Sequence, residues 1–393
     1  MALSGIVTRR GILSIKSTAH LMGNSQRQFK TGMRANGVRR GDGTGYSSIV
    51  DEMKDGKMKS GVLLLDGGTG EELFARNVPD DRKIWSAVAL RDVAHHETLK
   101  SVHKDFIKAG SRCVTCNNFG VTPGVGFDTE ELQELTKRAG MLAYKAREEL
   151  KIVDEDENGF DSTTVMIMGS LPPLVESYRP DKVMEREKGV EVYKTILSCL
   201  DEYVDVWLAE TLSSSEEVCI AVSAVVEWNK HRAKDTNGKE GMEKKLFVSM
   251  TVREDGCIRS GERASDAVHR ILEHADSIGG NGLIQAVLFN CSMPEDITLA
   301  LKDIKETMHA ELEERGILLG AYPNRLTKIQ SDWELSTSTE PQAMRDDFSV
   351  QDFVSVVQEW VTEYNVKLVG GCCGIGPAYI NACNAALSNN IIK

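Results

Sequence analysis

Eight short runs rich in Val, Leu, Ile and Phe recur from residue 61 onward, and this recurrence restricts the possible folds more than any other feature of the chain. They read VLLL at 62–65, RCVTC at 112–116, TVMIMG at 164–169, VDVWLA at 204–209, LFVSMT at 246–251, AVLFN at 286–290, ILLGAY at 317–322 and VKLVGG at 366–371. Between them lie longer segments of helical composition, such as the Ala/Glu/Leu/Lys-rich 129–151 and the stretch from Glu295 to Arg315. Near-continuous apolar runs are what parallel strands look like when helices cover one face and a core fills the other. Eight of them alternating with helices, spaced by roughly 25–55 residues, predict an α/β chain folded as a (β/α)8 TIM barrel. A doubly wound sheet would usually carry a Gly-rich phosphate loop after its first strand. Here DGGTGEE at 66–72 is not G-x-G-x-x-G and lacks the Walker lysine.

The chain has 393 residues, enough for one such barrel and a tail. Residues 1–50 form a separate basic leader with eight Lys and Arg against one acid, Asp42, leaving 51–393 for the barrel domain. Its Arg/Ser/Gly-rich, acid-poor composition fits an organellar transit peptide, without the apolar core of a secretory signal, or equally a disordered basic tail. The expected location is therefore cytoplasmic or mitochondrial. A net charge of −12 argues against a nucleic-acid partner, since phosphate-binding surfaces concentrate Lys and Arg. No apolar run approaches the length of a membrane span. Small molecules are the expected partners. Two polar stretches, DEDENGFDS at 154–162 and NKHRAKDTNGKEGMEKK at 229–245, read as surface loop insertions. Nine cysteines, two of them adjacent, fit a reducing compartment and metal-bound or reactive thiols better than a disulfide scaffold.

In a barrel of this type chemistry collects where strands end, on their C-terminal side. Those exits read Asp66-Gly67-Gly68, Asn117-Asn118-Phe119, Gly169-Ser170-Leu171, Glu210-Thr211, Asn290-Cys291, Tyr322-Pro323-Asn324 and Gly371-Cys372-Cys373. Cys372 and Cys373 leave one strand and Cys291 leaves another two strands earlier. Three thiolates converging at the rim with a fourth position free make an open, catalytic type of zinc site. Three other readings stay open at this point: a vicinal Cys372–Cys373 disulfide, simple core cysteines, or an unrelated Cys291. Cys113 and Cys116 would point to opposite faces of a strand, so that pair is read as structural. Cys199, Cys219, Cys257 and Cys383 default to packing.

Several segments, in order, resemble the homocysteine S-methyltransferase family: LLLDGGTGEEL at 63–73, IWSA at 84–87, VHKDFIKAGSRCVTCNNF at 102–119, AET at 209–211, FNC at 289–291, AYPN at 321–324 and GGCCGIGPAYI at 370–380. The resemblance covers roughly residues 61–385. It implies a (β/α)8 barrel, zinc held by Cys291, Cys372 and Cys373, and recognition of the homocysteine amino group by Asp66 and Glu210. IWSA and the short stretch after Cys373 look more like the S-methylmethionine-using branch than the betaine-using one. Two exits depart from that branch, GSLPPLVESYRPD at 169–181 and CNNF at 116–119, in loops expected to face the methyl donor.

The chemistry gives such residues work. A free thiol with a pKa near 8.5 is mostly protonated at neutral pH, and coordination to zinc would deprotonate it. The donor needs a good leaving group, which a sulfonium or quaternary ammonium supplies. Trp85 is a candidate to hold that cation by a contact worth about 0.5–2 kcal/mol, or else a core aromatic; Phe119 reads as core. Thr211 and Asn290 are candidates for orienting hydrogen bonds, and Gly67 and Gly68 for letting backbone N–H groups approach a carboxylate. Asp66 and Glu210 read alternatively as rim ion-pair residues. The expected reaction is transfer of a methyl group from S-methylmethionine, with S-adenosylmethionine weaker, to homocysteine. Betaine as donor is the alternative, and a non-enzymatic zinc or thiol sensor is the reading from another class. A zinc hydrolase would present His and Asp ligands, and no H-x-H stands at a strand end.

Overall fold

The computed structural model describes residues 61–154, 165–235, 243–330, 333–334, 337 and 340–389. The basic leader over 1–50 and nearly all of the acidic stretch over 154–162 lie outside the described residues. All eight apolar runs form strands: β1 Leu63–Leu64, β2 Cys113–Thr115, β3 Met166–Leu171, β4 Val206–Leu212, β5 Leu246–Met250, β6 Ile284–Asn290, β7 Leu318–Tyr322 and β8 Leu368–Val369. Every ladder is parallel, in the order β1-β8-β7-β6-β5-β4-β3-β2. Helices run between successive strands: α1 Thr69–Ala75 and α2 His96–Lys108 after β1, then α3 Thr129–Asp154, α4 Arg186–Leu200, α5 Ser215–Asp235, α6 Ala264–Ser277, α7 Pro294–Thr307, α8 Val350–Tyr364 and, after β8, α9 Pro377–Asn389. This is the expected (β/α)8 barrel. No helix among the described residues is long and apolar enough to cross a membrane.

Alternation along the strands separates two cores. Leu63, Leu65, Cys113, Met166, Met168, Val206, Leu208, Phe247, Ala286, Leu288 and Leu368 pack inside the barrel. Their neighbours Leu64, Val114, Ile167, Trp207, Val248, Val287 and Val369 face the helices. Cys113 and Cys116 fall on opposite sides of the sheet, as their spacing predicts. The last gap, between β1 and β2, is joined by single contacts. Arg112 N–H donates to the Leu64 carbonyl at 2.7 Å, and Ser111 Oγ donates to the Leu65 carbonyl at 3.0 Å. Above them the Asp66 carboxylate accepts from Thr115 N–H at 2.7 Å and Thr115 Oγ1 at 3.0 Å. A candidate site residue thus also fastens the barrel seam.

Two expectations need correction. The stretch 229–245 is no simple surface loop: α5 continues to Asp235, Asn229 is buried, and Lys244 is fully buried against Asp201 and the Trp207 ring. Asn229 Nδ2 donates to the Lys244 carbonyl, so these polar groups bury as hydrogen-bonded partners. The segment from Glu295 to Arg315 is two helices, α7 and a short one over His309–Arg315, broken at Met308 (φ −124°, ψ −1°).

At the N-terminal side of the barrel, Arg147 of α3 donates to Asp205 at 2.7 Å and to the Val165 carbonyl at 3.1 Å, while Asp205 also accepts from Ile167 N–H at 2.8 Å. Breaking a buried pair leaves an uncompensated charge. Arg147→Met should therefore lower stability by about 3–5 kcal/mol in urea unfolding. A loss under about 1 kcal/mol would show that the pair does not anchor α3.

Candidate active site

The cavity at the C-terminal mouth is built from strand exits that break the alternation of a pleated strand. Between β4 and β5 the register runs from Ala209↔Val248 to Leu212↔Met250, so Glu210 and Thr211 together oppose one residue. This bulge lets both side chains line the cavity, and it puts Thr211 at φ +62°, which a β-branched residue rarely adopts. Asn290 holds it there. Its Oδ1 accepts from Thr211 N–H at 3.0 Å and from Ser249 Oγ at 2.7 Å, and its Nδ2 donates to Thr211 Oγ1 at 2.8 Å. At the next residue β6 ends and Cys291 turns inward at φ +47°.

Cys291 meets the two cysteines leaving β8. Its Sγ lies 2.8 Å from Cys372 Sγ and 3.8 Å from Cys373 Sγ, and the last two are 4.0 Å apart. All three are free thiols, so the vicinal disulfide and the unrelated Cys291 both fall away. The β8 exit is pinned by Gly371 N–H to the Asp66 carbonyl, Cys372 N–H to the Pro323 carbonyl and Arg325 N–H to the Cys373 carbonyl. Hydrogen bonds from Cys372, Cys373, Tyr178 and Asn324 hold Cys291 well below the usual thiol range, against its burial. The strongest from outside the trio is Tyr178 Oη, donating at 2.9 Å. Four sulfurs around a zinc ion with Zn–S near 2.3 Å stand about 3.8 Å apart. Two of the three separations already fit, and the third needs to open by about 1 Å.

Opposite the thiols stand two buried carboxylates. Burial pushes Asp66 up to about 7, against the hydrogen bonds from Thr115. Glu210 is pushed up to about 8 by burial first, then by Asp66 and Cys291, against a short hydrogen bond from Ser170. Neither forms an ion pair among the described residues, so the rim ion-pair reading does not hold. Trp85 stands edge-on to Phe119 at 5.9 Å and to Phe74 at 6.4 Å, and Tyr178 to Trp333 at 5.6 Å; all five line the same cavity of about 180 Å³.

Asp66, Gly67, Gly68, Trp85, Glu210, Thr211, Cys291, Cys372 and Cys373 thus share one cavity wall, with Phe119 beside Trp85 instead of in the core. Asn290 does not line it: its Oδ1 accepts from Thr211 and Ser249 and its Nδ2 donates to Thr211, so it positions a wall residue. Gly67 and Gly68 act differently from the expectation too. A Cβ on Gly67 would lie 2.0 Å from the Ile375 carbonyl, and Gly68 N–H already donates to that carbonyl at 3.0 Å. They allow the β8 loop to pack against β1. Sequence reasoning singled out neither Tyr178 nor Glu71, and quoted Tyr322 and Asn324 at a strand exit without giving them a role. Tyr178 sits inside the divergent GSLPPLVESYRPD and Glu71 inside DGGTGEE, both noticed for other reasons.

Residues 63–387 match the family model for homocysteine S-methyltransferase. The chain belongs to that family. It is a methyltransferase acting on homocysteine, which sets aside the sensor reading. Homocysteine S-methyltransferase from Escherichia coli is 25% identical over 341 residues, 83% of this chain and 96% of that protein. Homocysteine S-methyltransferase 1 from Arabidopsis thaliana is 23% identical over 340 residues, 83% of this chain and 93% of that protein. In fold the chain is similar to the metallated form of the E. coli homocysteine methyltransferase MmuM, with a TM-score of 0.61, 22% identity, and coverage of 87% of this chain and 99% of that one.

The raised carboxyls set a pH dependence. With Glu210 lifted from 4.5 to about 8, the folded chain keeps a proton that the unfolded chain releases above pH 4.5. Stability of the metal-free, ligand-free protein should therefore fall as pH rises from about 5 to 8, with Glu210 contributing on the order of 4 kcal/mol. Urea unfolding across this range should show a shallower decline in Glu210→Gln; equal slopes would mean that Glu210 ionises freely in the folded state.

Proposed function

We propose that the protein transfers a methyl group from a cationic onium donor, S-methylmethionine ahead of S-adenosylmethionine, to the sulfur of homocysteine, with zinc held by Cys291, Cys372 and Cys373. The observation that carries this reading is the placement of three convergent thiols and two buried, unpaired carboxylates on one small aromatic cavity. The donor set fits the metal: three soft sulfurs all facing the cavity, two of their three separations near the edge length of a zinc tetrahedron and the third, 2.8 Å, about 1 Å short of it. When bound there, zinc supplies a Lewis acid that lowers the pKa of a coordinated thiol.

The chain's own residues do the rest. Asp66 and Glu210 accept the homocysteine ammonium, whose charge offsets the burial that keeps these carboxyls protonated in the empty site. Thr115 fixes Asp66 and Ser170 fixes Glu210, so the acceptor is oriented before the donor arrives. Tyr178 orients Cys291. Trp85, Phe119 and Phe74 line the cavity and exclude water, and an aromatic ring face there attracts a cation. In the displacement the acceptor sulfur's electron pair forms the new S–CH3 bond. The donor's CH3–S bond breaks, its electrons pass to the donor sulfur, and a neutral thioether leaves. Methyltetrahydrofolate, with a neutral N-methyl group, lacks that driving force.

Cys291→Ala, Cys372→Ala and Cys373→Ala should each abolish activity and stoichiometric zinc while circular dichroism still reports a folded barrel. Full zinc content in an active single variant would overturn the three-ligand assignment. Asp66→Ala and Glu210→Ala should raise KM for homocysteine more than KM for the donor. With donors at equal concentration, S-methylmethionine should give the highest kcat/KM. Preference for betaine would move the chain to the other branch, and no turnover with any onium donor would refute the proposed reaction.

A further inference from the structure

Two polar atoms on the cavity wall have no work in this mechanism. Glu71 Oε2 and Arg82 Nε are both buried without a hydrogen bond among the described residues. Buried polar groups are almost always satisfied, and exceptions at a cavity wall point to a ligand. One is an acceptor carrying negative charge and the other a donor carrying positive charge. Both belong to residues lining the cavity that holds the cysteines.

Both residues line the cavity that Trp85 also lines. Glu71 is in the first turn of α1, and its carboxylate folds back over Gly68: a Cβ at Gly68 would stand 2.8 Å from Glu71 Oε2 and 2.7 Å from the Cys372 carbonyl. The preceding Gly70 packs under the indole, where a Cβ would lie 2.6 Å from Trp85 Cζ2. Arg82 lies three residues before Trp85 in the turn where Trp85 N–H donates to the Asp81 carbonyl at 2.5 Å. Its Nη1 is bound by Asp80 at 3.1 Å, which fixes the guanidinium and leaves Nε free. The wall of one cavity therefore offers an anion, an indole and a cation, with the anion on the side of Cys372 and Cys373. Asp66 and Glu210 stand apart on the β1 and β4 exits.

We infer that Glu71 and Arg82 receive the amino-acid head group of the methyl donor, Glu71 its ammonium and Arg82 its carboxylate, with the sulfonium against Trp85. The ligand class is an α-amino acid bearing a side-chain sulfonium. Betaine, with a carboxylate but no N–H, would satisfy Arg82 and leave Glu71 unpaired, so the pair is a selectivity device as well as a subsite. This inference rests on the proposed function and supplies what that reading leaves open, the groups that choose the donor.

The test pairs variants with trimmed donors on the zinc-loaded full chain. The donors are S-methylmethionine, its analogue without the ammonium, 4-(dimethylsulfonio)butanoate, and its analogue without the carboxylate, (3-aminopropyl)dimethylsulfonium. Glu71→Gln should lower the kcat/KM ratio of S-methylmethionine to the ammonium-free analogue by about tenfold or more. Arg82→Gln should do the same to the ratio against the carboxylate-free analogue, with KM for homocysteine within about twofold of wild type in both. Unchanged ratios, or a matching rise in the homocysteine KM, would overturn the subsite. Wild-type protein inactive with all three sulfoniums would refute the proposed function itself; activity with unmoved ratios would refute only this subsite.

Discussion

The active end of the barrel depends on two residues held in a left-handed backbone conformation, Thr211 at φ +62° and Cys291 at φ +47°. A regular strand sends alternate side chains to opposite faces, so a strand end can offer only every second residue to a central cavity. The bulge at Glu210 and Thr211 and the turn at Cys291 break that rule where the cavity needs it. Such conformations cost on the order of 1–3 kcal/mol each and persist because their surroundings impose them. One buried side chain, Asn290, reaches the first and directly precedes the second. The Glu210 carboxylate and the Cys291 thiol are thereby set by one constraint.

Electrostatics gives the cavity its second character. It gathers four carboxylates, Asp66, Glu71, Asp80 and Glu210, with four thiols, Cys116, Cys291, Cys372 and Cys373, and Arg82 is the lining residue of opposite charge. Burial pushes Asp66 and Glu71 up to about 7 and Glu210 up to about 8, so the empty site holds protons that a cationic ligand displaces. A cavity of this kind favours ligands that bring positive charge with them. In the proposed reaction homocysteine brings an ammonium and the onium donor its own cation, and the methyl transfer consumes the second.

The fold was legible because its signal is local and repeated. Aliphatic runs such as AVLFN and LFVSMT mark buried strands wherever they stand, and a thiol pair after two glycines at a strand exit is a rare enough pattern to single out Cys372 and Cys373. The bulge at Glu210 was not legible, since it exists only in the pairing of β4 with β5. Asn290 reads like any polar residue at a strand end, yet it faces behind the wall. Glu71, in the first turn of a helix, looks like a surface acid that suits the helix dipole. Only the absence of a Cβ at Gly68 lets it fold toward the cysteines. The Lys-rich stretch after Trp228 looked like a loop because its composition is polar, whereas Lys244 buries against Asp201 and Trp207.

The central claim is that the three thiols leave one ligand position to the sulfur of the methyl acceptor. X-ray absorption at the zinc edge, measured on loaded protein with and without homocysteine, addresses it directly. The account predicts three sulfur ligands at about 2.3 Å and one lighter atom without homocysteine, becoming four sulfurs at about 2.3 Å when it is added. A first shell that does not change, or one that begins with four protein ligands, would contradict it.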